Sequence, residues 1–321
     1  MTSARLPQPV RSPVVGYALV LTAAVLFGLN AGASRIPLRS DTDEATFTTV
    51  RITGALLVLV VIALVVDRSA LRLPAVRRLP LLIGLGVVGI AGLQGFYNVA
   101  INRLPLGIAL LLEYTGPVLV VLWVRFARRE PVHARMWPAL GLTLVGLAVV
   151  SQVWSGLVFD GLGVVMALLA AGCFAAYFLL GEDGGVSAEP LHHILWAFAM
   201  AAVLMNVVAP AWEADALGAD ASMLGRLSDL TVPAWLAMGW VVVLGTVAPF
   251  FLLLLALRAL PATVVSVVAM LEPVVASVVG WGWYAESLTA VQLGGVVLVL
   301  VGIVLAQTAR RDHPHELPPL T

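Results

Sequence analysis

The segment Leu104 to Glu130, LPLGIALLLEYTGPVLVVLWVRFARRE, constrains this chain more than any other. It is apolar for long enough to cross a bilayer, which takes about 20 helical residues. Yet it carries Glu113 near its middle and Pro117 four residues later. A charge at membrane depth costs roughly 2.5–3.5 kcal/mol on insertion scales, so such a residue faces protein or water rather than lipid. Pro117 has no N–H to give the carbonyl four residues back, which is that of Glu113. One point in the span thus combines a carboxyl group with a freed backbone acceptor. The pattern returns as Leu260 to Glu286, LPATVVSVVAMLEPVVASVVGWGWYAE. Pro105, Pro117 and Glu130 fall on Pro261, Pro273 and Glu286 at a single offset of 156 residues (261 − 105).

The match extends past this stretch: Gly89, Ala100 and Gly146 fall on Gly245, Ala256 and Gly302 at the same offset. Phe27-Gly-Leu-Asn30 pairs with Phe174-Ala-Ala-Tyr177 at a shorter one. Two related halves are therefore expected. At 61% hydrophobic and 11% charged, the chain exceeds the roughly 45–50% apolar content of soluble domains. Zero net charge leaves no electrostatic footprint for nucleic acid. The single cysteine, Cys173, excludes an internal disulfide.

Ten spans are predicted, near 14–34, 46–66, 79–101, 105–126, 136–153, 161–180, 191–210, 233–257, 261–283 and 289–307. The fold expected is an all-α integral membrane protein: ten transmembrane helices as two inverted five-helix repeats around a central cavity. Residues 14–153 form the first repeat and 161–307 the second, with tails at 1–13 and 308–321. The first tail is basic and proline-rich and runs straight into a span, so it reads as cytoplasmic rather than as a signal peptide. All 18 basic residues are arginines. With the amino terminus inside, thirteen lie in cytoplasmic segments, four in external ones, and Arg51 within a span. That bias places both termini in the cytoplasm. Five helices is an odd number, so the second half enters from the opposite side, an arrangement that puts a substrate site near the midplane.

Glu113 lies eight residues in from Pro105, at the external face, and Glu272 eleven in from Pro261, at the cytoplasmic face. At 1.5 Å per residue these depths are roughly 12 Å and 17 Å, which in a core of about 30 Å brings both carboxylates to nearly one level. The short turn after helix 3 sets Gln94 opposite Glu113, with Tyr97 and Asn98 one turn further out. Thr246 and Pro249 of helix 8 face the Glu272 region by the same reasoning. Asn30 belongs to the outer half of the membrane and Tyr177 to the inner. Arg51 either pairs with Glu113 or snorkels outward past Glu44, and snorkelling is favoured by its nearness to the helix end. Tyr114 and Trp123 read as packing residues, and His192 and His193 as surface histidines. Gly86, Gly89, Gly92 and Gly95 read as a seam for close helix approach. Glu130 and Glu286 are expected to cap helices or pair with arginine. The acidic loop from Ala211 to Val232 reads as a solvated external cap.

No phosphate-binding GxxxxGK[ST] loop occurs, and no His/Cys/Asp group has metal-ligand spacing. Neither a cofactor nor a metal is expected, and an enzyme is not. The expected partners are the lipid bilayer and a small-molecule substrate, with protons as a second ligand of a buried carboxyl group; the chain is read as monomer or homodimer.

The two-half layout and the LP…P…E pattern of helices 4 and 9 resemble the EamA-like branch of the drug/metabolite transporter superfamily over about residues 16–307. Within that branch, LPLGIALLLEYTGP and MLEPVVASVVGWGWYAESLTAVQLGG look most like the threonine/homoserine-type amino-acid exporters. The resemblance implies a cavity enclosed by helices 1–4 and 6–9, with helices 5 and 10 peripheral. It implies a secondary transporter in the inner membrane exporting a small polar metabolite by alternating access, with proton coupling as one drive. In that picture Glu113 and Glu272 bind an ammonium group or a proton, and Gln94, Tyr97, Asn98 and Asn30 supply hydrogen bonds. Arg51, Thr246 and Tyr177 join them, and Pro117, Pro273 and Pro249 let the helices bend. An importer or a multidrug exporter of the same superfamily is the alternative, and an integral membrane enzyme or a sensor the remote one.

Overall fold

The computed structural model describes residues 12–38, 44–104, 106–155, 160–182, 189–213, 220–285 and 289–308. Most of the amino-terminal tail, the tail beyond Thr308, Pro105, Asp215 and Glu286 lie outside these residues. Nine helices long and apolar enough to span a membrane are described: α1 (Pro13–Pro37), α2 (Ala45–Val66), α3 (Val76–Ala100), α4 (Ile108–Ala127), α6 (Gly161–Glu182), α7 (Pro190–Val208), α8 (Ala234–Ala256), α9 (Ala262–Gly282) and α10 (Ala290–Thr308). A shorter apolar helix, α5 (Met136–Val150), makes the tenth. In hydrocarbon every backbone polar group must be satisfied within the protein, which is why such apolar runs take up helix.

Packing follows the repeat. α1 lies against α8 and α9, and α6 lies against α3 and α4. α2 packs on α7, and α5 on α10. Exchanging the halves reproduces the same set of contacts. The α5–α10 seam is close because it is made of glycine. A methyl group on Gly146 would lie 2.7 Å from the Gly295 carbonyl, and one on Gly302 would lie 2.8 Å from the Ala139 carbonyl. Small residues let transmembrane backbones approach in this way.

The repeat also fixes where helices are interrupted. α4 breaks at Tyr114–Thr115, between Leu106–Glu113 and Gly116–Leu122. α9 breaks at Met270–Leu271, between Ala262–Ala269 and Glu272–Gly282. The two breaks are related by the 156-residue offset. α3 and α8 each widen into π-helix, over Gly84–Gly92 and Val243–Val247. Pro117, Pro249 and Pro273 all occupy the second position of the helical segment that follows an irregularity. Proline fits there because its missing N–H falls where the preceding turn has no regular partner to receive it.

The seam read from the glycines of α3 is tight at three of four positions. A methyl group on Gly86 would sit 2.1 Å from the Ala197 carbonyl of α7, one on Gly89 would sit 3.2 Å from Tyr177 of α6, and one on Gly92 would sit 3.1 Å from Cys173 Sγ. Gly95 has nothing within 4 Å.

One surface expectation is corrected and one is extended. His192 and His193 are buried. His192 Nδ1 donates to the Ala70 carbonyl (3.0 Å) and His193 Nδ1 to the Glu189 carbonyl (2.7 Å), while Arg78 approaches His193 Nε2 at 3.5 Å. They pin α7 to the segment joining α2 and α3, whose fold the local sequence does not announce. The acidic loop, in turn, is more than a solvated cap. It contains an antiparallel pair, β1 (Asp220–Ser222) with β2 (Thr231–Pro233). Its turn at Gly225, at φ +54°, is clamped on the end of α9: a side chain there would meet the Trp283 carbonyl at 2.4 Å. The Arg226 N–H donates to that carbonyl (2.8 Å), and Trp283 Nε1 donates to the Met223 carbonyl (3.0 Å).

At the start of α6, Asp160 Oδ1 accepts from the Gly163 N–H (2.8 Å), and Asp160 Oδ2 pairs with Arg103 (3.3 Å). The Gly163 amide first, and Arg103 after it, hold this carboxyl below its usual value. A depressed folded-state pKa contributes stability above the unfolded value of about 3.9, and the contribution is lost as pH falls through the folded one. Asp160→Ala is expected to lower the melting temperature at neutral pH. The deficit should shrink as the pH is taken below about 4, as thermal unfolding in detergent at a series of pH values would reveal.

Candidate functional site

A cavity of about 340 Å³ lies between the two halves. It falls within the range of small-molecule sites, about 300–1,000 Å³. Its lining includes Ser34 and Arg35 at the end of α1, Phe47 at the start of α2, Asn98 on α3 and Tyr284 past α9. All these positions belong to one end of the bundle. Deeper, Phe27, Phe174, Tyr177 and Phe250 line the wall. Their rings meet edge to face, Phe27 on Phe250 at 5.3 Å and Tyr177 on Phe250 at 5.2 Å. At the opposite end of the bundle Arg128 pairs with Glu182, which also accepts from the Ala262 N–H at the start of α9 (2.7 Å). Glu130, beside Arg128, forms no ion pair among the described residues.

Glu113 and Glu272 both line the cavity. Their surroundings differ by construction. Glu113 is the last residue of the first half of α4, at the negative end of that half-helix dipole, and Glu272 is the first residue of the second half of α9, at a positive end. A cation is favoured beside the former and a carboxylate at the latter. Tyr114 lines the same cavity and packs edge to face on Phe174 at 5.7 Å.

Gln94, Tyr97, Asn98, Asn30, Arg51, Tyr177 and Pro273 line the same cavity. Among the described residues Gln94 Nε2 is buried without a hydrogen-bond partner, which marks a donor awaiting an acceptor. Asn98 donates to Thr48 Oγ1, tying α3 to α2. Tyr177 donates to the Phe250 carbonyl (2.7 Å). Asn30 accepts from Ser34 Oγ (3.2 Å) and presses against Gly245, where a methyl group would fall 1.9 Å from its Oδ1. Gly89 against Tyr177 in one half is thus repeated as Gly245 against Asn30 in the other.

Arg51 does not snorkel, and Glu113 is not its partner. Its Nε donates to Thr246 Oγ1 (2.6 Å) and its Nη2 to the Gly245 carbonyl (2.9 Å). The reason lies on α8. Pro249 cannot donate to the carbonyl four residues back, which is that of Gly245, so an acceptor stays open inside the bundle. Thr246 itself is fully buried behind Arg51, donating to the Val241 carbonyl (2.8 Å). It does not line the cavity, and neither do Pro117 and Pro249.

Several lining residues escape sequence reasoning. Tyr114 is a wall residue as well as a packing one. Arg35 stands over the Tyr284 ring at 4.6 Å, and the Tyr284 hydroxyl donates to the Gly32 carbonyl (2.9 Å). Arg35 lies just past a span and registers in the sequence only as a topological charge. Trp123, by contrast, is half exposed on the outer surface.

The match to known proteins fits this two-half geometry. The model of the EamA-like transporter family matches residues 14–152 and again 161–308. The chain belongs to the EamA-like transporter family. Among the relatives of this EamA-like chain is the threonine/homoserine exporter RhtA of Escherichia coli (strain K12), 32% identical over 308 residues, 95% of this chain and 94% of the relative. The RhtA of Salmonella typhimurium (strain SL1344) is 33% identical over 249 residues, 75% of this chain and 76% of the relative. An uncharacterized transporter of Archaeoglobus fulgidus is 27% identical over 216 residues, covering 65% and 70%. A solved crystal structure superposes with a TM-score of 0.76 at 18% identity over 93% of this chain and 99% of its own, a likeness of fold. Family membership and the apolar helices make this a multi-pass inner-membrane transporter with a small-molecule substrate.

Proposed function

We propose that this EamA-like protein is a secondary transporter that exports a small polar metabolite, an amino acid or close derivative, by alternating access. The observation that carries the reading is the convergence of Glu113 and Glu272, from oppositely inserted helices, in one polar and aromatic cavity. The printed function of the relatives, threonine/homoserine export, supports the substrate class. Glu113, at a negative helix end, binds the substrate ammonium group or a proton, and Glu272 shares that load. Competition of proton and substrate for the pair couples their movements in opposite directions. Gln94, Tyr97, Asn98 and Asn30 fix the substrate by hydrogen bonds, and Tyr177 closes the cavity floor. The interruptions before Pro117, Pro249 and Pro273 are the points at which helices flex. With both termini cytoplasmic, the cavity mouth faces outward and the Arg128–Glu182 end is the closed inner gate.

The test is efflux from proteoliposomes loaded with radiolabelled amino acids. Threonine is expected to leave faster than from protein-free vesicles, and several-fold faster with an acidic exterior. A protonophore should abolish that acceleration. Efflux equal to that of empty vesicles for every amino acid would remove the reading.

A further inference from the structure

Two opposite charges face this cavity without touching. Arg51 is held by neutral acceptors alone, Thr246 Oγ1 and the Gly245 carbonyl. Among the described residues it forms no ion pair within 4 Å of either glutamate, although all three line the same cavity. Leaving a guanidinium and carboxylates apart inside a bundle is costly, because neither loses its desolvation penalty to the other. Arg51, Glu272 and Glu113 all line one cavity, a fixed cation and a pair of acids around the same space. Gln94 Nε2, buried and unpartnered in the same wall, adds a donor for an anionic ligand oxygen. Glu113 adds a helix end that favours a cation.

We infer that the cavity recognises its substrate as a zwitterion, the carboxylate held by Arg51 and the ammonium by Glu272 and Glu113. This deepens the transport reading above and rests on it. A molecule with both charges satisfies both walls. A simple organic cation leaves Arg51 facing its positive charge, and a sugar leaves every charge uncompensated. Arg51 can serve because Pro249 exposes the Gly245 carbonyl: two of its N–H groups anchor it to α8 and the others remain for a planar carboxylate.

The experiment is competition against radiolabelled L-threonine counterflow in proteoliposomes. The competitors are L-threonine, L-threoninamide and N-acetyl-L-threonine, at about pH 6 so that the amide's amine stays protonated. In wild-type protein both analogues are expected to compete at least tenfold more weakly than threonine. In Arg51→Gln, threonine should weaken at least tenfold and threoninamide should not, so their ratio collapses towards one; Arg51→Lys should restore part of it. Loss of packing alone would lower both competitors together and leave the ratio in place. Threoninamide competing as well as threonine in wild-type protein, or an unchanged ratio in Arg51→Gln, overturns the inference. The wild-type series decides alone should Arg51→Gln fail to fold. Absence of counterflow in wild-type protein for every amino acid, threonine included, removes the transport reading and the inference with it. Counterflow indifferent to the carboxylate removes only the inference.

Discussion

Threonine efflux is expected to fall at least a hundredfold when Glu113 and Glu272 are both replaced by glutamine. Hydrogen bonds to charged groups contribute about 1.5–3 kcal/mol each, and losing two of them at about 1.4 kcal/mol per decade amounts to roughly two orders of magnitude or more. Glutamine keeps the size and shape of the side chain but removes its charge and exchanges one acceptor oxygen for an NH2 donor. The single variants should differ from each other. Glu113→Gln removes the carboxyl at the negative end of a half-helix, whereas Glu272→Gln removes one at a positive end. Initial efflux rates, normalised to the monodisperse protein recovered, make the comparison. Rates within threefold of wild type in the double variant would end the carboxylate mechanism.

Gly86→Val is expected to be the most destabilising single exchange on α3. Its first side-chain carbon would fall 2.1 Å from the Ala197 carbonyl, and Met200 Cβ lies 3.0 Å away. The carbonyl belongs to a helix backbone and cannot step aside, so α3 and α7 must separate. Overpacking commonly costs about 1–3 kcal/mol, and a contact against backbone belongs at the upper end of that range. Gly95→Val provides the control on the same helix, since nothing lies within 4 Å of that position. In detergent, the first variant should aggregate at a distinctly lower temperature than wild type while the second stays near it. Equal behaviour of the two would mean that the α3–α7 approach is not rigid.

The fold was legible because insertion into a membrane punctuates a sequence strongly. Apolar runs of spanning length, arginines at their ends and a proline–glutamate pattern recurring after 156 residues are all local or periodic signals. The equivalence even extends to the helix breaks, at Tyr114–Thr115 and Met270–Leu271. What escaped were pairings between remote segments. Arg51 looked like a snorkelling residue because its acceptor, the Gly245 carbonyl, is 194 positions away and opened by a proline that carries no mark of its purpose. Arg35 joins the cavity through Tyr284, and the loop between α7 and α8 is shaped by its docking on Trp283. The histidines of α7 are buried by a connecting segment whose own path no periodicity reveals. The glycines of α3 look alike in sequence, and only the neighbouring helices distinguish Gly86 from Gly95.

The α5–α10 seam bears on how such a molecule can move. Gly146, Gly295 and Gly302 bring the two backbones to within a methyl group's width of collision, and one of these helices comes from each half. Pulling them apart would forfeit the close backbone contacts that these glycines allow. In the proposed alternating-access cycle this strip serves as the pivot, and the other eight helices supply the travel. Introducing bulk there would hinder the hinge while leaving the cavity walls as they are.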